Sequence, residues 1–178
     1  MPESAPVTDW PMRLLLIGIL LAMLAFVLYL LRRRWNRLTK ESEARYSPIT
    51  ELAPEGFLPD ESVSGLFLGT SPMGNWLQRV MSQGLGVRSR AVVQWAPEGI
   101  FISRSGETDI FIGRDHIVEA AFGRGVAGTV RSKDSVLVIR WKLGEAILDS
   151  GFRADTTEGH HKLEELSEQI AERSSRNP

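Results

Sequence analysis

An uncharged run near the N-terminus constrains this chain more than any other feature. It extends over Leu14–Leu31 and reads LLLIGILLAMLAFVLYLL. Together with the residues just before it, this run is long enough for a helix to cross a hydrocarbon core of roughly 30 Å at about 1.5 Å per residue. Trp10 and Trp35 bracket it, as aromatic residues do at membrane interfaces. The sequence therefore predicts a transmembrane helix over residues 13–35.

Two other interpretations of this run fit less well. A cleaved signal peptide would begin with a basic region and would have small neutral residues before the cleavage site. Here Glu3 and Asp9 precede the run and Arg32–Arg34 follows it directly. A buried core helix with no polar face does not suit a domain this small. The spanning helix is the interpretation that the residues favour.

The arginines around the run predict its orientation. Positively charged residues stay on the cytoplasmic side of a membrane. Only Arg13 lies just before the run, so the N-terminus is expected outside the cell membrane and the rest of the chain in the cytoplasm. The arginines after the run could also contact anionic head groups, at about 1 kcal/mol each, although fixing the topology is the simpler and compatible role. These candidate lipid contacts are Arg32, Arg33, Arg34 and Arg37.

The charge of the chain is distributed unevenly. The first 45 residues carry seven basic and four acidic side chains, whereas the remainder carries 14 basic and 18 acidic ones. A mildly acidic domain thus follows a basic neck, and nucleic acid is not expected as a partner because domains that bind it are usually basic. The chain has no cysteine, which excludes disulfides, thiolate zinc sites and cysteine nucleophiles.

Prolines and acidic residues mark a linker between the helix and a folded domain. Pro48, Pro54 and Pro59 favour an extended, semi-stiff segment with little apolar periodicity. The predicted organisation is a short extracytoplasmic tail (1–12), the transmembrane helix (13–35), a basic neck and linker (36–64), a cytoplasmic domain (65–173) and a tail (174–178).

Short apolar runs separated by turn residues fill the predicted domain, at a spacing typical of an antiparallel meander. They predict about seven strands, with Thr129–Ser132 and Val136–Trp141 forming a hairpin. The runs are Gly65–Gly69, Ala91–Trp95, Ile100–Ser103, Ile110–Gly113, Ile117–Phe122, Thr129–Ser132, Val136–Trp141 and Ala146–Asp149.

Two segments of the domain have helical patterns. Asn75–Ser82 places four apolar side chains on one face and ends before a glycine. At the C-terminus, Asp155 and Glu158 have the spacing of a capping box, and an apolar stripe at helical spacing follows them. The stripe consists of Leu163, Leu166 and Ile170. A mainly β fold of about seven antiparallel strands, closed at one end by a C-terminal amphipathic helix, is the layout of a PH-like β-barrel or sandwich.

Four phrases of the domain resemble a family of actinobacterial single-pass membrane proteins with a bacterial PH-like domain, often labelled as transporter- or export-associated. The resemblance extends to the position of the anchor and supports the architecture, but it carries no catalytic signature. One spanning helix cannot by itself enclose a transport path. The phrases are Gly65–Thr70, Gly74–Leu77, Gly84–Ala91 and Leu148–Arg153.

The histidines do not form a recognisable catalytic or metal site. His160 and His161 are neighbours on a predicted helix and point in different directions, so they cannot share a metal ion. Ser103, His116 and Asp149 could be combined as a triad, but no nucleophile-elbow motif supports that.

The glycine-rich segments are interpreted as turns. Gly84–Gly86 and Gly123–Gly128 lack both the Lys-Ser/Thr ending of a P-loop and the strand–helix context of a dinucleotide fingerprint. Glycines at such places supply positive φ in β turns. We therefore expect no catalytic residue, metal or cofactor, and a protein that is not an enzyme.

Arginines of the domain are the most suggestive set. Arg88 and Arg90 are two residues apart and would project from one face of a strand. In PH-like barrels such residues can bind phosphorylated head groups or acidic peptides. Acidic residues are interleaved with them, which favours plain surface ion pairs. The candidate ligand or partner contacts are Arg88, Arg90, Arg104, Arg114 and Arg124.

Three functions follow from these features. The first is a membrane-anchored interaction or scaffolding module that binds an unidentified protein, for which adding a strand to a sheet edge needs no conspicuous motif. The second is recognition of anionic lipid or phosphate through Arg32–Arg34 and the loop arginines. The third is an accessory subunit of a larger export or transport complex, in which Gly18 and Ala22 would permit close helix packing.

Overall fold

The computed structural model describes residues 10–46, 49, 53–123, 125–130 and 135–176. The chain divides into two compact units, residues 1–40 and 41–178. Several predicted features lie wholly or partly outside the described ranges: residues 1–9, the linker positions 47–48 and 50–52, Arg124, residues 131–132 of the predicted hairpin, and residues 177–178 of the tail.

The N-terminal helix, α1, extends from Trp10 to Arg45 and so continues past the predicted boundary at residue 35. Residues 36–45 contain neither glycine nor proline and are rich in good helix formers, which explains the continuation. Within α1, Trp10–Arg37 has a mean hydropathy of 3.0 in its most apolar window, and none of that window is buried. By length and composition, this segment can cross a membrane.

Seven strands form one antiparallel sheet in the order β4-β3-β2-β1-β9-β8-β5. β1 joins the two halves of this sheet, because its first part pairs with β2 and its second part with β9. Gly65–Phe67 pair with both strands, and a register shift in the β1–β9 pairing lies between Phe67 and Gly69, where the pairing with β2 has ended. The strands are β1 Glu61–Pro72, β2 Ser89–Ala96, β3 Gly99–Arg104, β4 Ile110–Gly113, β5 Ile117–Gly123, β6 Gly125–Val126, β7 Thr129–Val130, β8 Val136–Leu143 and β9 Ala146–Ala154.

The predicted hairpin between Thr129–Ser132 and Val136–Trp141 is wrong. Instead, β7 pairs with β6 in a separate two-stranded ribbon. β8 already has long, apolar neighbours on both sides, β5 and β9, and so has no free edge for β7. The ribbon covers a second, small apolar cluster made of Leu68, Val126, Ala127 and Val136.

The C-terminal helix, α2, extends from Thr157 to Arg176 and packs mainly on β5, with further contacts to β1 and β9. Its predicted apolar stripe is confirmed, since Leu163, Leu166 and Ile170 are all buried in the main core. The predicted architecture, a mainly β fold closed by a C-terminal helix, is confirmed with it.

The predicted capping box of α2 is wrong by one residue. Thr156 caps the helix, because its Oγ1 accepts a hydrogen bond of 3.0 Å from the backbone N–H of Gly159. Asp155 instead accepts a hydrogen bond from Arg90 at 2.6 Å. A distant partner on β2 therefore occupies the carboxylate that local spacing assigned to the cap.

The segment predicted as a helix over Asn75–Ser82 forms successive turns. The backbone N–H of Val80 donates to Thr70 at 2.9 Å, and the N–H of Thr70 donates to Leu85 at 2.8 Å. This pairing back onto β1 takes the bonds that a helix would need. Val80 is buried, whereas Trp76 and Leu77 are 45% and 65% exposed, so the predicted apolar face does not exist.

Part of the predicted linker belongs to the folded domain. β1 begins at Glu61 rather than at residue 65. Before it, the ring of Phe57 lies 5.8 Å from that of Phe111 in an edge-on contact. Tyr46 is buried in the main core cluster. Two aromatic side chains that precede β1, Tyr46 and Phe57, are therefore packed against the rest of the domain.

Candidate partner-binding surface

The candidate arginines of the domain do not come together at one site. Arg90 pairs with Asp155 at 2.6 Å, with 70% and 36% of the two side chains exposed. It is a surface ion pair, the interpretation that the sequence favoured. Arg88 precedes β2 and is exposed, as Arg90 is. Arg124 lies outside the described residues.

Arg104 has a structural role and is not available as a ligand contact. Its side chain is 4% exposed and lies over the ring of Phe67, with Cζ 5.1 Å from the centroid. Nη1 donates to the carbonyl of Gly84 at 2.8 Å and Nε donates to that of Thr108 at 2.7 Å. Burial lowers the pKa of Arg104, against the opposing effect of Glu107 and Asp109. This arginine joins the β1–β2 loop to the β3–β4 turn.

Arg114 borders a groove beside the end of α2, whereas Arg90 and Arg104 border a different one, next to Asp155. It occupies the short 3-10 turn Arg114–His116 between β4 and β5. Its backbone N–H donates to the carbonyl of Glu98 at 2.8 Å, which fixes this turn against the β2–β3 turn. The groove, which we call the α2 groove, lies between this turn and the last turns of α2. It is lined by Arg114, Asp115, Ile117, Ile170, Arg173 and Ser174.

Apolar side chains form the floor of the α2 groove and charged ones form its rim. Ile170 is buried and Ile117 is partly buried, whereas Arg114 and Arg173 are exposed. Within the described part of the chain, neither arginine forms an ion pair, although Asp115 also borders the groove. The groove thus presents two guanidinium groups beside an apolar strip, an arrangement suited to an acidic segment with apolar side chains.

The end of the sheet lies beside this groove. β5 is the terminal strand in the sheet order and pairs with β8. The carbonyl of Val118 on β5 accepts a hydrogen bond of 3.3 Å from Ser174 Oγ of α2. Glu119 and Ala121 on β5 are exposed. A terminal strand beside a helix is a place where an extended peptide can add to a sheet.

Sequence reasoning missed Arg173 and the groove. The stripe Leu163–Ile170 predicted where α2 packs, but not that the following turn would extend past the core and face Arg114. The position of Arg173, three residues after Ile170, was a signal for a charged rim next to an apolar strip. Arg114, which lies across the groove from Arg173, comes from a different part of the chain. The helical periodicity of α2 gives no information about such a neighbour.

The residues considered for catalysis or metal binding have other contacts. Asp149 accepts a hydrogen bond of 2.8 Å from Nε of Arg140. Nδ1 of His161 lies 2.8 Å from a carboxylate oxygen of Glu164, and the ring of His160 packs edge-on against Phe122 at 4.7 Å. Among the residues that the structure describes, no three acidic or histidine side chains cluster as metal ligands would. Gly84 has φ +68°, as a turn glycine does.

On α1, the four candidate lipid contacts Arg32, Arg33, Arg34 and Arg37 are exposed and directly follow the apolar segment. Their placement on the helix agrees with either role that the sequence suggested, fixing the topology or meeting head groups.

Comparison with known families agrees with this fold. The sequence model of the family described as bacterial PH domain-like matches residues 52–168, which is more than half of the chain. None of the curated proteins compared with the chain matches it.

Proposed function

Because the chain belongs to the bacterial PH domain-like family, we propose that it is a single-pass membrane protein whose domain binds a protein partner at the cytoplasmic face. PH-like domains are in general non-catalytic binding modules. The α2 groove beside the end of the sheet is the observation that carries the proposal of a protein partner. The apolar exposed surface of α1 and the arginines after it support the proposed anchor and its orientation.

The topology can be tested directly, because the chain has no cysteine of its own. Thr8→Cys and Glu98→Cys would each introduce one thiol, in the N-terminal tail and in the exposed β2–β3 turn. We expect a membrane-impermeant maleimide to label intact cells at position 8 and to label position 98 only after lysis. Labelling of position 98 in intact cells would contradict the orientation. Loss of the N-terminal segment from the mature chain, measured by intact mass, would instead identify a signal sequence.

For the partner, we propose an extended acidic segment that lies in the α2 groove and pairs with β5. Apolar side chains of the segment would cover Ile117, and its carboxylates would lie between Arg114 and Arg173. Such a segment would compete with Ser174 for the carbonyl of Val118. Backbone pairing would supply affinity and the two arginines would supply selectivity for acidic sequences.

The groove is tested with the full-length chain in its native cell. A photo-crosslinking amino acid in place of the exposed Gln169 would capture the bound segment. Gln169 lines a small depression that adjoins the α2 groove and shares Arg114, Ile117, Ile170 and Arg173 with it. The captured protein is then purified and its affinity measured. Arg173→Glu should weaken binding at least tenfold, about 1.4 kcal/mol, whereas Arg88→Glu, a matched change at an exposed arginine away from the groove, should leave it unchanged. Equal affinity for both variants would contradict the proposed site.

A further inference from the structure

Three exposed apolar side chains share one loop of the domain. Most of the described large apolar residues of the domain are buried. The exposed ones are Leu58, before β1, and Met73, Trp76 and Leu77, which are 49%, 45% and 65% exposed. Met73, Trp76 and Leu77 all lie between β1 and β2, and the last two belong to the segment Asn75–Ser82 that the sequence predicted as a helix. We call these three side chains the apolar tip. Exposed apolar side chains that lie together on a domain whose other large apolar residues are mostly buried indicate an interaction surface.

The tip is held outward by the structure around it. The backbone N–H of Met73 donates to Ile147 at 3.0 Å, and the carbonyl of Trp76 accepts a hydrogen bond of 2.6 Å from Gly128. The same loop buries Val80 and Leu85 completely or nearly so. The loop therefore places some of its apolar side chains in the core and leaves the tip in solvent.

The chemistry of the loop matches the interface of a bilayer. Residues 72–78 read PMGNWLQ and carry no charge. The exposed Arg79 follows directly, and its Nη1 donates to the carbonyl of Gly86 at 2.8 Å. Tryptophan beside aliphatic side chains is the composition that enters the headgroup region, and an adjacent arginine complements anionic lipid. The chain itself supplies a further reason for a lipid surface.

The connection between α1 and the domain is short, which favours a lipid surface; this inference rests on the membrane anchor proposed above. Only residues 32–45 lie between the uncharged run and Tyr46, which is buried in the core of the domain. A segment of this length spans at most about 50 Å even when fully extended. The anchor thus keeps the domain close to a bilayer at all times, and the high local concentration makes even a weak lipid contact effective.

We propose that the apolar tip inserts into the interfacial region of the membrane that holds α1. The domain then has two attachments, the spanning helix and this loop. This second contact would limit the orientations in which the domain presents the α2 groove to a partner.

The test uses the full-length chain in liposomes of phosphatidylcholine and phosphatidylglycerol at three to one. Leu77→Cys carries an environment-sensitive fluorophore, and Glu98→Cys, on the exposed β2–β3 turn, is the control. These two positions lie at opposite ends of β1, because Glu61 pairs with Trp95 beside one turn and Pro72 leads into the other loop. We expect blue-shifted emission at position 77, quenched by brominated lipid, and aqueous emission at position 98.

Aqueous emission at position 77 in a chain that resists carbonate extraction would overturn this inference and leave the anchor intact. Release of the chain by carbonate would end both proposals. A blue shift that grows with the protein-to-lipid ratio and resists brominated lipid would show that a second copy of the chain covers the tip, which also overturns the inference.

Discussion

Val126 packs directly onto the backbone of Gly151, so closely that a Cβ atom at position 151 would overlap Cγ1 of Val126. This contact joins the β6–β7 ribbon to β9 and closes the small cluster that also contains Leu68. The ribbon carries Gly128, whose N–H bonds to Trp76. Because Gly151 has no side chain, the ribbon can pack closely onto β9. The hydrogen bond from Gly128 to Trp76 then connects the ribbon to the apolar tip.

Gly151→Ala should destabilise the domain by about 1–3 kcal/mol, because overpacking forces the ribbon or β9 to shift. Thermal unfolding of the full-length chain in detergent, followed by near-ultraviolet circular dichroism, would measure the change. Gly123→Ala is the matched control, since a Cβ there would meet only Val138 at an ordinary 3.5 Å. Equal melting temperatures for the two variants would show that the ribbon does not depend on this contact.

Local patterns predicted the elements of this fold, and distant contacts account for most of what they missed. Ile110 and Ile112 read correctly as a strand because a short apolar run between turns has few other uses. The apolar stripe of α2 was also predicted correctly from its helical spacing. By contrast, Thr156 rather than Asp155 caps α2 because Arg90, which lies far away in the sequence, binds the carboxylate. No local spacing contains that information.

The candidate site divides in the same way. Arg114 and Arg104 were both singled out as residues near strand ends, but Arg114 is exposed whereas Arg104 is buried. Its burial depends on the carbonyl of Gly84, supplied by a loop twenty residues earlier in the chain. A charged residue at a strand end reads as exposed unless such partners are known.

The buried hydroxyls of the sheet form a second testable contact. Ser150 Oγ lies 2.8 Å from Thr70 Oγ1 and accepts a hydrogen bond of 2.9 Å from Nε1 of Trp141. Ser150→Ala would leave the indole N–H without this acceptor, at a cost of about 1–3 kcal/mol. The emission of Trp141 should change at the same time. Ser62→Ala, at an exposed position of β1, should change neither the unfolding midpoint nor the emission; comparable losses in both variants would contradict the assignment.

The cap of α2 predicts a difference between adjacent threonines. Thr156→Ala removes the acceptor of the Gly159 N–H and should cost about 1 kcal/mol of stability. Thr157→Ala alters an exposed first residue of α2 and should have almost no effect. Urea unfolding of the two variants in detergent measures both. A larger loss of stability in Thr157→Ala than in Thr156→Ala would contradict the assignment of Thr156 as the N-cap residue.

The arginines after the apolar segment predict how firmly the topology is fixed. Replacing Arg32, Arg33, Arg34 and Arg37 with Gln leaves only Lys40 and Arg45 after the run against Arg13 before it, so the charge bias that fixes the orientation becomes weak. The fraction of chains labelled at Glu98→Cys in intact cells should rise from near zero. The variant Arg13→Gln, which increases the original bias, should show no such labelling. Unchanged labelling of the fourfold variant would mean that these arginines do not set the orientation.

Two arginines from the same predicted set should differ sharply in their contribution to stability. Arg104→Ala removes the side-chain donor of the Thr108 carbonyl and one of two donors of the Gly84 carbonyl, which also accepts from the N–H of Val87 at 3.1 Å. The loss of this buried, charge-assisted donor costs about 1–3 kcal/mol. Arg90→Ala removes an exposed pair with Asp155, which contributes about 0–1 kcal/mol. Urea midpoints of the two variants would show the difference. Because Arg104→Lys keeps the charge but cannot reach both carbonyls with a planar fork, it should recover only part of the loss. Full recovery with lysine would mean that charge near Phe67, rather than the two hydrogen bonds, holds this corner of the domain together.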